Sequence, residues 1–562
     1  MCENQAPPNS PSSCNKTNRP GRRLLTLGLV ATASAIWFIL RTGKKPSRIG
    51  YPCQQAAIVN LEIFQLAILA AIPSLSSIST IMKSMRVPVV LGMMMTGSIL
   101  LIYNSTIPDA DYSILQDSSN WVPLTITNQT ALSQVNSSNL FCVQNASGID
   151  GNVDLAIAKL LALMESQDTP FYNTTSNPSG LIGSNDVVIL KVNGQWDYRG
   201  GTNTDLVRSV VTAIINHPDE FTGEIVIADN GQGAGNMDWA RTNSFHGNQS
   251  MIDAANSFSS SSVSTFLWDN LRNSQVDDYD EGDLEDGYVL SDTWISETDI
   301  FVSYPKFTTI FGTHISFKEG IWNSDTGFDS QRLKVINMPV MKSHFRYGVT
   351  GAVKNYMGVP KGEVVSSVHS SIPHEHFAIG QGGMGTLMAE TRAPILHILD
   401  SIWINAHPME SSTRRGPWST YSSASFTDII SASQDPIALD YWASKNILCP
   451  TAEYLNYTEF SSLDPDYEPL SDQYYGIEEM DESFHNYLNR SMTVLKDAGF
   501  QVTMNQADMN IFTVTLPGVS DPGLTQITIP DLDILGLSFL IGVPIVLVIV
   551  ISGIYLRRRK MA

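Results

Sequence analysis

Apolar and polar positions divide the chain into membrane-length runs near its two ends and a strand–helix alternation between them. Residues 24–40 form an uncharged apolar run, and 56–81 an apolar run with one interior charge, Glu62. A third run, 87–103, follows Lys83 and Arg86, and 534–556 is uncharged and closed by Arg557, Arg558, Arg559 and Lys560. A bilayer core needs ~20 apolar residues of helix. These runs therefore predict spans at about 24–40, 56–81, 87–103 and 532–556, the second readable also as an interfacial helix. Arg22-Arg23 and Ala33-Ser34-Ala35 allow a twin-arginine-type cleaved signal at the first run, but its apolar continuation through 36–40 favours a retained anchor.

Between these runs the periodicity changes. Residues 1–23 are a polar, disordered tail, and 104–150 a Ser/Asn-rich stalk or cap. An amphipathic helix at 153–165 opens the folded part. Short apolar runs rich in β-branched residues predict strands at 186–191, 224–229, 333–338, 395–399 and 428–433. Helices are predicted at 204–216, with Thr204 as N-cap, and at 437–448 behind Pro436. This alternation predicts an α/β fold: a mostly parallel sheet flanked by helices, with N-terminal and C-terminal transmembrane helices. The α/β domain covers 151–450. Its polar segment 237–327 contains VDDYDEGDLEDG, which lacks calcium-loop spacing, and is expected to be an acidic, irregular surface insertion. Residues 451–531 form an acidic extension and linker, with a helix at 484–498 and strands at 500–504 and 511–516. The tail 557–562 is basic.

Charge sharpens the division. Of 34 Lys and Arg, 14 lie before residue 87 or after 556; between 104 and 530 stand 20 basic and 51 acidic residues. That surface repels phosphate backbones, so nucleic acid is excluded as a partner of the large domain. The partner at the chain ends is the lipid bilayer. The basic end predicts a cytoplasmic C-terminus and puts 104–530 on the extracytoplasmic side, at the plasma membrane. Arg41, Lys44, Lys45 and Arg48 dissent, falling outside in a scheme with three N-terminal spans. Sequons at Asn104, Asn128, Asn136, Asn145, Asn173, Asn248, Asn456 and Asn489 suit a glycoprotein. The five cysteines contain no CxxC, so no zinc knuckle or ferredoxin-type site is proposed. Cys142 and Cys449, the two in the large domain, are either a pair or two free thiols.

Several stretches together resemble the domain of unknown function 362 (DUF362) family: LKVN at 190–193 with Thr202 and Asp205, INMPVMKSH at 336–344, VTGAVKNYMG at 349–358, LDSIW at 399–403 and SQDPIALD at 433–440. They keep the family's order across about 186–445. The family as a whole has no established activity, and many members carry ferredoxin-type cysteines. This chain lacks those cysteines, so an iron–sulfur cluster is not expected.

Lys191, Asp229, Lys342, Asp400 and Asp435 each fall at or shortly after the carboxyl end of a predicted strand. In a parallel sheet those ends share one edge. The candidate catalytic residues are Lys342, His344 and Lys191, and the candidate ligand-binding residues Asn193, Lys354, Asn355, Asp400 and Asp435. Ammonium and amide groups in one crevice suit a small anionic ligand. Pro373-His374-Glu375-His376 holds an HxH pair, so His374 and His376 are candidate ligands of a divalent metal. His397, inside ILHIL, reads as a core histidine. The glycines at 380–385 follow neither a Walker nor a GxGxxG pattern and read as a loop. Two functions stay open: an enzyme or binding domain for a small anion, or a non-catalytic surface receptor or adhesion protein using a glycosylated acidic exterior.

Overall fold

The computed structural model describes residues 121–132, 137–146, 152–196, 200–233, 235–239, 244, 249–280, 282–295, 300–344, 347–361, 379–408, 424–457, 460–468 and 483–517. First come β1 (Ser138–Gln144), α1 (Asn152–Glu165) and β2 (Val187–Lys191). A crossover through α2 (Thr204–Ile215) brings the chain to β3 (Glu224–Asp229), parallel to β2. Helix α3 (Met251–Asn256) then leads to β4 (Val263–Leu267), parallel to β3. Parallel neighbours require such crossovers, and a strand covered on both faces must be apolar on both; all residues of β2 and β3 are buried. The N-cap of α2 is Asn203, whose side chain accepts from the N–H groups of Asp205 and Leu206, one residue before the Thr204 expected.

The segment read as an irregular insertion carries a second sheet. β5 (Gly287–Ile295), β6 (Ile300–Thr308), β7 (His314–Ser316), β8 (Gly320–Asn323) and β9 (Gly327–Asp329) form an antiparallel sheet in the order β9-β8-β7-β6-β5. Its apolar positions were hidden among polar ones: Phe307, Ile315 and Phe317 are fully buried and share the main core with Trp268. The acidic run is folded too. Asp278 accepts from the hydroxyls of Tyr304 and Ser316, and buried Lys306 gathers the Asp277 carbonyl (2.8 Å) and the Asp283 carboxylate (3.2 Å).

β10 (Leu333–Asn337) then pairs with the free flank of β2 in parallel. There follow β11 (Val340–His344), β12 (Gly348–Thr350), α4 (Ala352–Asn355), α5 (Gly383–Glu390), β13 (Leu396–Asn405), β14 (Ser425–Ser433), α6 (Pro436–Ala443), α7 (Cys449–Tyr454), α8 (Phe484–Asp497) and β15 (Met509–Thr515). The main sheet runs β15-β1-β14-β13-β10-β2-β3-β4, with β11 beside β13 and β12 beside β11. Only β14 and β12 oppose the common direction, so the expected α/β sheet is mostly parallel.

The sheet extends past the expected domain limits. β1, from the segment read as a stalk, lies between β14 and β15, and β15 comes from the acidic extension. The Gln144 amide ties this edge to the backbone of Ile126 in both directions. No strand forms at 500–504. Cys142 and Cys449 are both free thiols. Among the described residues no helix is long and apolar enough to cross a membrane; the predicted spans at 24–40, 56–81, 87–103 and 532–556 lie outside those residues.

Candidate functional site

Strand order reverses at β2. From there β3 and β4 step outward on one side, and the chain returns to place β10 on the other. Such a switch point leaves a crevice beyond the carboxyl ends of the strands, where open α/β sheets take their ligands. Lys191, Asp229 and Asn337 are the last residues of β2, β3 and β10. Beyond them, β11 carries Lys342 and His344 two residues apart, hence on one face, and Thr350 of β12 is in register with Lys342. Helix α4 adds Lys354 and Asn355. Its amino end is held by Asp440 of α6, which accepts from Ala352 N (2.5 Å) and Val353 N (2.9 Å). Gly351 makes that approach possible, because a Cβ there would lie 2.2 Å from the Asp440 carboxylate.

The crevice encloses about 360 Å³ of empty space counted out to its solvent-open mouth. Its polar lining is Asn193, Lys342, His344, Thr350, Lys354 and Asn355, with Gln195, Trp196, Gln232 and Met357 around them and Asp229 and Gly358 also contributing. Beneath it Lys191 Nζ meets Asp229 Oδ1 at 2.7 Å and donates to the Val192 carbonyl, while Asp229 Oδ2 accepts from Gly194 N. Gly358 is packed onto this ion pair: a Cβ would come within 2.0 Å of Asp229 Oδ1 and 2.5 Å of Lys191 Nζ. Asn230 fastens the same turn, donating from its side chain to the Pro360 carbonyl and from its backbone to that of Gly358.

Amide orientations follow from carbonyls that can only accept. The Ala352 carbonyl takes a hydrogen bond from Asn337 Nδ2 (2.8 Å), so Asn337 Oδ1 must receive Asn355 Nδ2 (2.8 Å). Asn355 also donates to the Lys191 carbonyl (3.4 Å), which leaves its Oδ1 as the end available to the crevice. Asn337 Nδ2 also reaches His397 Nδ1 at 3.0 Å, so that nitrogen is unprotonated. Burial holds His397 neutral, its pKa pushed down to about 3; it is a core histidine, as expected.

The predicted residues divide by place. Asn193, Lys342, His344, Lys354 and Asn355 come together on the crevice wall. Lys191 is below it, locked to Asp229, so it supports the site rather than facing a ligand. Asp400 is spent on backbone, accepting from Asn203 N (2.9 Å) and Ile402 N (3.1 Å). Asp435 is elsewhere: it caps α6 through Ile437 N and Ala438 N, and accepts from Ser138 Oγ and Thr503 N. Burial raises it to about 6 against those hydrogen bonds. Its strand-end position misled because Asp before Pro is equally the signature of a helix cap. His374 and His376 lie outside the described residues, among which no group of three His, Cys, Asp or Glu could hold a metal ion. The glycines at 380–385 serve packing: Gly385 brings α5 against the Ser491 backbone of α8. Thr350 and Gln232 were not anticipated. Their signals were the polar residue inside VTG and the turn closing EIVIAD.

Burial pushes the Lys342 ammonium down to about 7; Asp229 and Asp400 pull it back, and Lys191 adds to the depression. Lys191 is also lowered by burial, with Asp229 opposing.

No curated protein and no solved structure matches the chain. Residues 332–445, the segment supplying β10 to α6 and with them Lys342, His344, Lys354 and Asn355, match the family model described as "Domain of unknown function (DUF362)", so that segment belongs to the DUF362 family.

Proposed function

We propose that the crevice binds a small anion, a carboxylate or a phosphate, and that it is the working site of a membrane-anchored extracytoplasmic domain. One observation carries the reading. Lys342 is 1% exposed, lines the crevice, donates to the Gly200 carbonyl, and has no carboxylate at ion-pair distance among the described residues. A buried charge without a counter-charge costs several kcal/mol, and an anion entering the crevice offsets that cost. Lys354 lines the same space and adds donors and charge. An amine held near neutrality can also exchange a proton with a bound ligand, which makes Lys342 the residue equipped for chemistry.

The test is thermal denaturation of the full-length protein with increasing inorganic phosphate or acetate, for wild type and Lys342→Ala. Stabilisation of the wild type that grows with the logarithm of anion concentration is expected, about 2.7 kcal/mol at a hundred times Kd, and none in the variant. If neither anion stabilises the wild type, the reading is wrong and the receptor alternative takes its place.

The membrane part of the proposal draws on the uncharged run 534–556 and the four basic residues behind it. Exposed sequons at Asn128, Asn173, Asn456 and Asn489 suit a glycosylated exterior, whereas the Asn145 amide is engaged with the Leu516 carbonyl. Protease added to intact cells should remove 104–530 and spare a C-terminal epitope; the reverse pattern refutes this topology.

A further inference from the structure

A second, smaller cavity adjoins the crevice. Asn193 and Trp196 wall both. Beyond them the lining turns apolar, with Met237, Trp239 and Met251, around about 230 Å³ of space counted to its open mouth. Met237 and Met251 are buried, and the Trp239 indole N–H donates to the Gly194 carbonyl at 3.3 Å, which keeps its ring in the wall. A ligand filling both spaces has a charged end and an apolar end.

The junction adds a third requirement. Asn193 is 8% exposed and its Oδ1 has no hydrogen-bond partner among the described residues. Buried amide ends rarely go unpaired, and leaving one so costs about 1–3 kcal/mol. A hydroxyl satisfies the amide whichever way it is turned, because it both donates and accepts. An ammonium at this point would face Lys342 and Lys354 across the crevice, so a hydroxyl fits better than an amine.

Building on the anion reading, we propose that the ligand is a small 2-hydroxy acid with an apolar substituent. Its carboxylate meets Lys342 and Lys354, its hydroxyl meets the Asn193 amide, and its substituent lies between Trp196, Trp239, Met237 and Met251.

Calorimetric titration of the full-length protein with glycolate, 2-hydroxyisocaproate and isocaproate separates the three parts. 2-Hydroxyisocaproate should bind about tenfold or more tighter than each of the others, since a few buried carbons or one well-paired hydroxyl supply that much. Trp239→Ala should erase the advantage over glycolate. Asn193→Ala should erase the advantage over isocaproate. Glycolate binding as tightly as 2-hydroxyisocaproate, or isocaproate equalling it, overturns this assignment and leaves the anion site standing. If neither phosphate nor any carboxylate binds, both readings fall.

Discussion

Replacing Lys342 by Met keeps an unbranched side chain one atom shorter and removes its charge. In the fold the amine is pushed from 10.5 to about 7, chiefly by burial. The unfolded chain therefore binds more protons than the folded one between about pH 7 and pH 10.5, and stability rises with pH across that window. At about pH 7 the unfolded lysine is fully charged while the folded one is half so. With about 1.4 kcal/mol per pH unit, the burial of this amine sets folding back by on the order of 4 kcal/mol there. By about pH 8.5 the deficit has shrunk by about 2 kcal/mol. The Met variant escapes it, but leaves the Gly200 carbonyl without its donor, a pH-independent cost of about 1–3 kcal/mol. The difference between the two proteins is thus the quantity to follow. Urea titrations read by tryptophan fluorescence at about pH 7 and pH 8.5 should show the variant's relative stability falling by about 2 kcal/mol as pH rises. A difference constant over that interval would mean that Lys342 stays charged in the fold, and the case for an uncompensated cation in the crevice would collapse.

Gly358→Ala drives a methyl into the Lys191–Asp229 pair and should cost about 1–3 kcal/mol and weaken phosphate binding; unchanged urea midpoints would show the turn can retreat freely. Asn337→Leu strands Asn355 Nδ2 and the Ala352 carbonyl and should cost about 2–4 kcal/mol; unchanged urea midpoints would show that the two amides are not held by each other. Asp435→Asn turns a donor toward Ser138 Oγ or Thr503 N and should destabilise by about 1–3 kcal/mol while leaving anion affinity intact, since the residue is outside the crevice. Asp440 keeps its proton up to about 7 in the fold, so its burial lowers stability progressively from about pH 4 to about pH 7; Asp440→Asn should flatten that slope in urea midpoints taken across the interval.

What the sequence disclosed follows from how local each signal is. β2, β3 and β10 were visible because VVILK, EIVIAD and LKVIN are short, apolar on both faces and bounded by turns. The gathering of Lys342, His344, Lys354 and Asn355 followed from their place after β10 once the sheet was parallel. The second sheet was missed because its strands are half polar and Phe307, Ile315 and Phe317 find their core only in three dimensions. β1 went unseen because SNLFCVQ sits in Ser/Asn-rich surroundings and is buried by β14 and β15, the latter some 370 residues away in the chain. Asp400 and Asp435 show the converse failure. A carboxylate after a strand looks the same in sequence whether it meets a ligand or backbone N–H groups, and here the backbone takes both.

Among the described residues three lysines are no more than 1% exposed, and their surroundings rank them. Lys191 has Asp229 at 2.7 Å. Lys306 has Asp283, the Asp277 carbonyl and the face of Tyr279 at 4.4 Å, so the acidic run supplies the counter-charge for a structural cation. Lys342 has a carbonyl, and carboxylates only at longer range. All three occupy low-dielectric positions, yet of these three only Lys342 lines the crevice, which Lys354, 4% exposed, lines as well. A protein with 51 acidic residues between 104 and 530 could easily have set one beside it. Leaving the ammonium without a close carboxylate there costs stability that a Met would save, and that cost, beside an open cleft, is what the proposed anion would offset.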